Sequence, residues 1–395
     1  MRANARAPSL MPPPDPARGR SARFVASVEA LDRGQWDQCF NNDIESYDYH
    51  RGVERGGVGG FKFGWYVVEE TGRMICAAPA FTTQYDLATT AQGAVRKVLQ
   101  GVQPWVPGQL RLGLSCLGSP VTERCQLGFA PALDLVGRQE ALVELFDFWA
   151  DHAKGQGISL LGLKDLSTPD REALAPALNR AGFRLAASMP SASLTIDFAS
   201  EDDYLARLSA STRKDMRRKL KSRAQIRVER THEIRPVIGD ITEMYRETRA
   251  RSDWAFEELE DSYFQNILES AGKNSFFTLY WARERLVAAN LMLCDGTRLL
   301  DKFFVMRAAE GRQHNLYFLS WFENIAYCLE HGQKIYESGQ AGYETKMRLG
   351  SELQRTWLGF RHSNPVLHRL LGLASPLLAI DQPDAAKATP RDGKP

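Results

Sequence analysis

The chain has 395 residues, with 50 lysines and arginines against 48 aspartates and glutamates, for a formal net charge of +2. At roughly 150 residues per domain the length implies two globular units, and so even a balance excludes attraction to nucleic acid or membrane by bulk charge, leaving local clusters as the only source. Six cysteines stand far apart without CxxC spacing, no apolar leader opens the sequence and no run of about 18 apolar residues occurs, so the expectation is a chain of the reducing cytoplasm with neither signal peptide nor transmembrane segment.

Residues 1–23 and 381–395 are rich in proline, alanine and charge, and are expected to be disordered tails. After the first tail, "FGWYVVEETGRMICAAPAFTTQ" predicts two strands joined by a turn near Gly72. "ALVELFDFWADHAKGQGISLLGL" then predicts an amphipathic helix, a Gly-Gln-x-Ile turn and a short strand. Past Pro190 the strand "SASLTIDF" leads into a helix with Ser200 as its cap and Leu205, Leu208, Thr212, Met216 and Leu220 as its buried stripe. "SFFTLYWARERLVAANLMLCDGTRLLDKFFVMR" predicts three strands, the last pair joined by a type I′ turn at Asp295-Gly296. The loop "RAAEGRQH" precedes a helix from about Asn315 to Leu329, followed by a strand over Lys334 to Glu337. Laying Ile158 on Ile335 places Gly155-Gln156 on Gly332-Gln333, which reads as an internal duplication of residues 24–190 in residues 191–380. Any two helix-then-strand units share part of that pattern. The expected fold class is α/β (α+β), each half a mixed sheet with an antiparallel meander flanked by helices.

Chemistry is expected in the second half. The helix bearing Arg213, Arg217 and Arg218 is either a solvated face or a holder of phosphates, and the lack of interleaved aromatics argues against base reading. The strand-to-helix loop offers Arg307, Arg312 and Gln313 at a helix N-terminus, which suits a pyrophosphate or is a plain connector. "YESGQAGYETKMRLG" puts Glu337 at a strand end and Tyr343 and Lys346 on the next helix. There a carboxylate can accept a proton from an amine, a phenol can return one to a thiolate and an ammonium can stabilise an oxyanion. The alternative is a simple Glu337–Lys346 pair across the turn. Asp301 and Lys302 must point to opposite faces of their strand. Trp254, Phe256, Tyr263 and Phe264 read as core or as a substrate channel. No metal is expected, because the seven histidines form no HxxxH or HxH pattern. GxSxG, Walker and GxGxxG signatures are absent as well.

Meander, loop, helix, strand and then "GQAGYETKMRLG" resembles the Gcn5-related N-acetyltransferase (GNAT) superfamily. More closely it is similar to the duplicated branch with the BioF2/CelD-like acetyltransferase domain and the Fem aminoacyltransferases, whose basic helix "SASTRKDMRRKLKSR" resembles. The resemblance covers roughly residues 24–375 and implies two tandem GNAT-like domains. It implies acetyl-CoA or another acyl-CoA as co-substrate, with its pyrophosphate at Arg312, Gln313, His314 and Asn315, and a small-molecule or peptide amine as acceptor. It implies Tyr343 as proton donor to the thiolate and Lys346 as stabiliser of the transfer intermediate. The loop "RAAEGRQHN" departs from the superfamily's Gln/Arg-x-x-Gly-x-Gly/Ala pattern, so an aminoacyl-tRNA donor stands as the alternative, as does a binding protein without turnover.

Overall fold

Apolar runs build the first half around a meander of β1 (Arg20–Val25), β2 (Phe61–Glu70), β3 (Arg73–Asp86) and β4 (Arg111–Leu117). The computed structural model describes residues 19–41, 43–45, 47–86, 111–251 and 256–378. Helices α1 (Arg33–Phe40) and α2 (Tyr47–Gly56) lie between β1 and β2. After β4 come β5 (Gly128–Phe129), α3 (Leu135–Gly155), β6 (Leu160–Ser167), α4 (Thr168–Ala173), α5 (Ala175–Arg180) and β7 (Arg184–Ala187). Asp134 caps α3 by accepting from the Gly137 N–H, and Leu142, Leu145, Phe146, Trp149 and Ala153 form its buried stripe against the sheet. Each large side chain so buried contributes about 1.5–3 kcal/mol. Strand β1 begins inside the segment expected as the N-terminal tail, because Arg20 and Arg23 pair with Glu70 and Glu69 of β2 and make a polar edge strand. The rest of that tail and the C-terminal one lie outside the described residues.

The second half repeats the plan with β8 (Ser191–Thr195), α6 (Glu201–Arg207), α7 (Ala210–Lys219), β9 (Ile226–Thr231), α8 (Ile238–Ala250) and α9 (Tyr263–Ala271). Its meander is β10 (Ser275–Ala282), β11 (Arg285–Cys294) and β12 (Arg298–Met306). Then follow α10 (Ala308–Gln313), α11 (Leu316–His331), β13 (Ile335–Gly339), α12 (Tyr343–Arg348), β14 (Glu352–Gln354), β15 (Thr356–His362) and α13 (Pro365–Leu378). The helix expected to run on from Ser200 is two helices, broken where Leu208 is extended and Ser209 caps α7 by accepting from the Thr212 N–H. The Asp295-Gly296 hairpin is also not type I′. Only Gly296 has positive φ, and Asp295 Oδ1 instead accepts from the Thr297 and Arg298 N–H groups. Thr71 and Gly72, both at positive φ, make the two-residue turn of that kind between β2 and β3.

The first sheet runs β1-β2-β3-β4-β6-β15-β7 with β5 on β3, and the second, read from its far edge, runs β9-β10-β11-β12-β13-β8-β14. The orders correspond strand for strand. In each sheet one central pair is parallel, β4 with β6 and β12 with β13, and each parallel pair has an antiparallel partner next to it. The duplication therefore holds at the level of topology, with β15 in the place that β8 takes in the second sheet. The boundary near residue 190 needs correction to that extent. Residues 356–362 return to the first sheet, because alternation identifies a strand without saying which sheet supplies its neighbours.

The two halves meet where α2 packs on α9. A Cβ on Gly56 would lie 2.7 Å from Tyr263 Cα, and one on Gly52 3.0 Å from Ile267 Cα, so two glycines one helical turn apart let the backbones touch. Tyr263 and Phe264 are buried in this core, and Trp254 lies outside the described residues.

Candidate functional site

Strands β12 and β13 pair only from Arg298–Leu300 to Ile335–Glu337, and β12 then continues to Met306 while β13 keeps its other partner, β8, as far as Gly339. Two parallel strands that part leave a notch at their C-terminal ends, where ligands of α/β sheets usually bind. Helix α11, which follows β12, has its N-terminus at this same end. Asn315 at its N-cap has a left-handed φ of 53° and no side chain caps the helix, so its first N–H groups lack side-chain acceptors. Buried His314 adds an Nδ1 that has no hydrogen-bond partner among the described residues. Arg312 and Gln313 are exposed beside it. Arg307 faces elsewhere, since its guanidinium pairs with Asp240 and Glu243 of α8 and donates to the Leu286 carbonyl.

Beyond β13 the chain turns through Gly339, Ala341 and Gly342, all at positive φ. Lys346, 5% exposed, reaches back from α12 and its Nζ donates to the carbonyls of Ser338 (2.5 Å), Gly339 (2.9 Å) and Gln340 (3.2 Å). Burial pushes its ammonium below the usual lysine range, against the pull of Glu123 and Asp301. Tyr343 Oη donates to the Pro190 carbonyl at 2.8 Å, and burial raises its phenol above the ordinary range. Glu337 accepts from Arg124 of the first half at 2.9 and 3.2 Å and lies 3.8 Å from Arg298. The three groups expected from the sequence thus share one end of β13, but Glu337 is engaged by guanidiniums and not by Lys346.

A carboxylate that the sequence marked only through its strand position is buried just past the paired stretch of β12 and β13. A register shift in the β11–β12 ladder pairs Met292 with Asp301 and Leu291 with Phe303, leaving Lys302 bulged. Asp301 Oδ2 accepts from Tyr336 Oη at 2.9 Å and Asn324 Nδ2 at 3.2 Å, while Lys302 points the other way to Glu45. Burial raises the Asp301 carboxyl to about 6, the Tyr336 hydrogen bond and the Lys346 charge opposing. Tyr317, on the first turn of α11, brings its hydroxyl to 3.9 Å from where a Cβ on Gly342 would stand, closing the ring of groups around the notch.

The first half reaches this end as well. Glu123 Oε1 accepts from the Gln340 N–H at 3.1 Å and occupies the space that a side chain on Gly339 would need, at 2.5 Å. No spacing rule flags Glu123 or Arg124, since their partners lie over 200 residues away. The basic helix keeps Arg217 and Arg218 exposed, with Arg218 bound to Asp215 and Arg217 3.9 Å from Asp202, whereas Arg213 donates to the carbonyls of Ala206 and Leu208 at the end of α6. A separate cavity of about 590 Å³, lined by Phe24, Lys62, Tyr66, Phe81 and Ile158 among others, opens on the first sheet and shares no residue with the notch.

A family model described as FemAB-like, peptidoglycan biosynthesis/recognition, matches residues 139–372, more than half of the chain. Curated relatives named 8-amino-7-oxononanoate synthase 2, from two strains of Mycobacterium tuberculosis, are 22% identical over 337 residues, 82% of this chain and 42% of theirs, so the chain spans less than half of their length. Among solved structures, FemX aligns with a TM-score of 0.57 at 14% identity, covering 87% of this chain and 98% of its own. The L-PGS of Bacillus licheniformis aligns at 0.52 with 11% identity over 94% of this chain and 99% of its own. A tandem GNAT protein from the clavulanic acid biosynthesis pathway aligns at 0.50 with 16% identity, covering 87% and 99%. At these identities the likeness shows the fold, two GNAT-like units in tandem.

Proposed function

The chain belongs to the FemAB-like family, GNAT-fold proteins of acyl and aminoacyl transfer, and from that premise we propose that it transfers an acyl group from an acyl-CoA to an amine at the β12–β13 notch. The observation that carries this reading is the parting of two parallel strands beside a helix N-terminus without a side-chain cap, because a thioester donor with a pyrophosphate needs a slot and an anion site together. Residues 191–355 supply the reacting groups in this proposal, and the first half supplies Glu123 and Arg124, which hold the closing turn and Glu337.

The neutral amine attacks the thioester carbon, forming the C–N bond, and the carbonyl pair moves onto oxygen. Asp301 takes the ammonium proton, a role we assign to it over Glu337. Lys346 stabilises the oxyanion by turning one donor from the carbonyls that it holds. Collapse breaks the C–S bond, and Tyr343, kept protonated by burial, gives its proton to the leaving thiolate.

A second reading is favoured by the family match and by exposed Lys214, Arg217 and Arg218 on α7: an aminoacyl-tRNA donor whose phosphates meet this helix. Thermal shift with acetyl-CoA, longer acyl-CoAs and CoA distinguishes the two, since a ligand at a hundred times its dissociation constant adds roughly 2.7 kcal/mol. Stabilisation by thioesters with turnover on a panel of amines supports the first. Absence of any shift, with salt-sensitive retention on aminoacyl-tRNA, overturns it in favour of the second.

A further inference from the structure

Helix α13 carries an apolar face that nothing among the described residues covers. Its inner side docks on the first sheet, where Leu371 joins Phe81, Leu114, Cys116 and Leu160. Its outer side presents Val366, Leu370 and Leu373 at the i, i+4, i+7 spacing of a single face, and these are 63%, 54% and 77% exposed. Leaving such a stripe in water is costly at about 25 cal/mol for each Å² of apolar surface, and stripes of this kind mark interaction surfaces.

The segment that carries the stripe is cationic. From Gln354 to Ile380 the sequence has Arg355, Arg361 and Arg369, with His362 and His368, and no aspartate or glutamate. Exposed Arg184 of β7 lies across the helix at Gly372, where an added Cβ would meet its side chain at 2.6 Å, so the guanidinium sits beside the leucines because that position is glycine. Arg369 is exposed between Val366 and Leu370. Charge decides between the possible occupants. A symmetric contact with a second copy would set this cluster against itself, with no acid in the segment to offset it. A surface of anionic lipid accepts both components, burying the stripe among acyl chains while the arginines stay at the headgroups.

We propose that α13 docks the protein on an anionic membrane surface, lying in the plane of the interface with Val366, Leu370 and Leu373 inserted and Arg184 and Arg369 on the headgroups. The docking is independent of the transfer chemistry, since none of these residues belongs to the notch.

The test is co-sedimentation of the full chain with vesicles of phosphatidylcholine alone and with vesicles rich in phosphatidylglycerol, at low and high salt. Binding to the anionic vesicles only, weakened by salt, is the expected result. Leu370→Glu with Leu373→Glu should lower the partition at least tenfold, and Arg184→Ala and Arg369→Ala roughly fivefold each, from about 1 kcal/mol per surface cation. An environment-sensitive dye on Leu373→Cys, in a chain whose six native thiols are buried, should shift to the blue on anionic vesicles even if the double glutamate variant folds poorly. Wild-type protein that stays in the supernatant with both vesicles overturns the proposal. A dye that stays in water does so too, as does a wild-type dimer, by sedimentation equilibrium, that Leu373→Glu splits.

Discussion

Asp301 has an ordinary carboxylate range of its own and is lifted to about 6 by the loss of water around it, with Tyr336 and Asn324 holding one oxygen. The sign of the consequence is fixed by the direction of that shift. A folded pKa above the unfolded value means that the native state is favoured while the group is protonated, and that stability falls as pH rises from about 4 through about 6. Ionisation therefore costs stability and creates the base. Asp301→Asn is expected to remove the acid limb near pH 6 from the profile of kcat/KM for acyl transfer, and to leave the variant at least as heat-stable as the wild type at pH 8. A surviving limb would assign the base elsewhere. Lys346→Met should lower kcat on the order of 10²–10³ with little change in KM if the ammonium meets the oxyanion. If Lys346 only holds the carbonyls of Ser338, Gly339 and Gln340, the loss appears in the melting temperature and in KM instead. Tyr343 and Lys346 were legible because glycines and a short helix mark a strand end in any sequence. Asp301 was legible only as one of two strand neighbours on opposite faces, since a bulge decides which face each takes. Glu123 was not legible at all, because its surroundings are assembled from the other half of the chain.

At the scale of elements, continuous apolar runs identified β2, β3 and β10 to β12, strands buried on both faces over much of their length, and the 3.6-residue period identified α3 and α11. It failed at Leu208-Ser209, where an apolar residue keeps the helical spacing while the chain between two caps is extended. It was also silent on what joins the halves, since the α2–α9 contact depends on what Gly52 and Gly56 lack. A Cβ on Gly56 would already stand 2.7 Å from Tyr263 Cα, backbone that cannot swing aside. Gly56→Val is accordingly expected to destabilise the protein by about 1–3 kcal/mol, the usual range for overpacking, as read from urea unfolding. Thr71→Val, at a positive-φ position in the exposed β2–β3 turn, separates strain from packing, because it should cost stability without moving α2 from α9. Equal tolerance of both sites would mean that the helices separate without loss.

Across the whole molecule, the chain crosses between its two sheets twice. Strand β8 opens the second sheet and β15 returns to complete the first, so the first sheet does not have its full order without residues from beyond the boundary that sequence suggests. The seam between them holds a buried ion pair, Glu45 of the first half, 2% exposed, with Lys302 of the second, whose side chain is 4% exposed, at 2.5 Å. Lys302 Nζ also donates to the Val121 carbonyl, so one ammonium ties the helix-bearing layer, the 118–126 segment and β12 together. Such a pair contributes little against a well-packed apolar replacement, but losing one member leaves a charge where water cannot reach. Lys302→Met should therefore cost about 3–5 kcal/mol, whereas Glu45→Gln with Lys302→Met should recover much of that loss. Urea titrations followed by tryptophan fluorescence and circular dichroism measure both. Coincident transitions in the wild type that separate in Lys302→Met would show that the pair couples the halves into one cooperative unit. A single-variant loss below about 1 kcal/mol, the value of an exposed pair, would place water at the seam and remove the basis for that coupling.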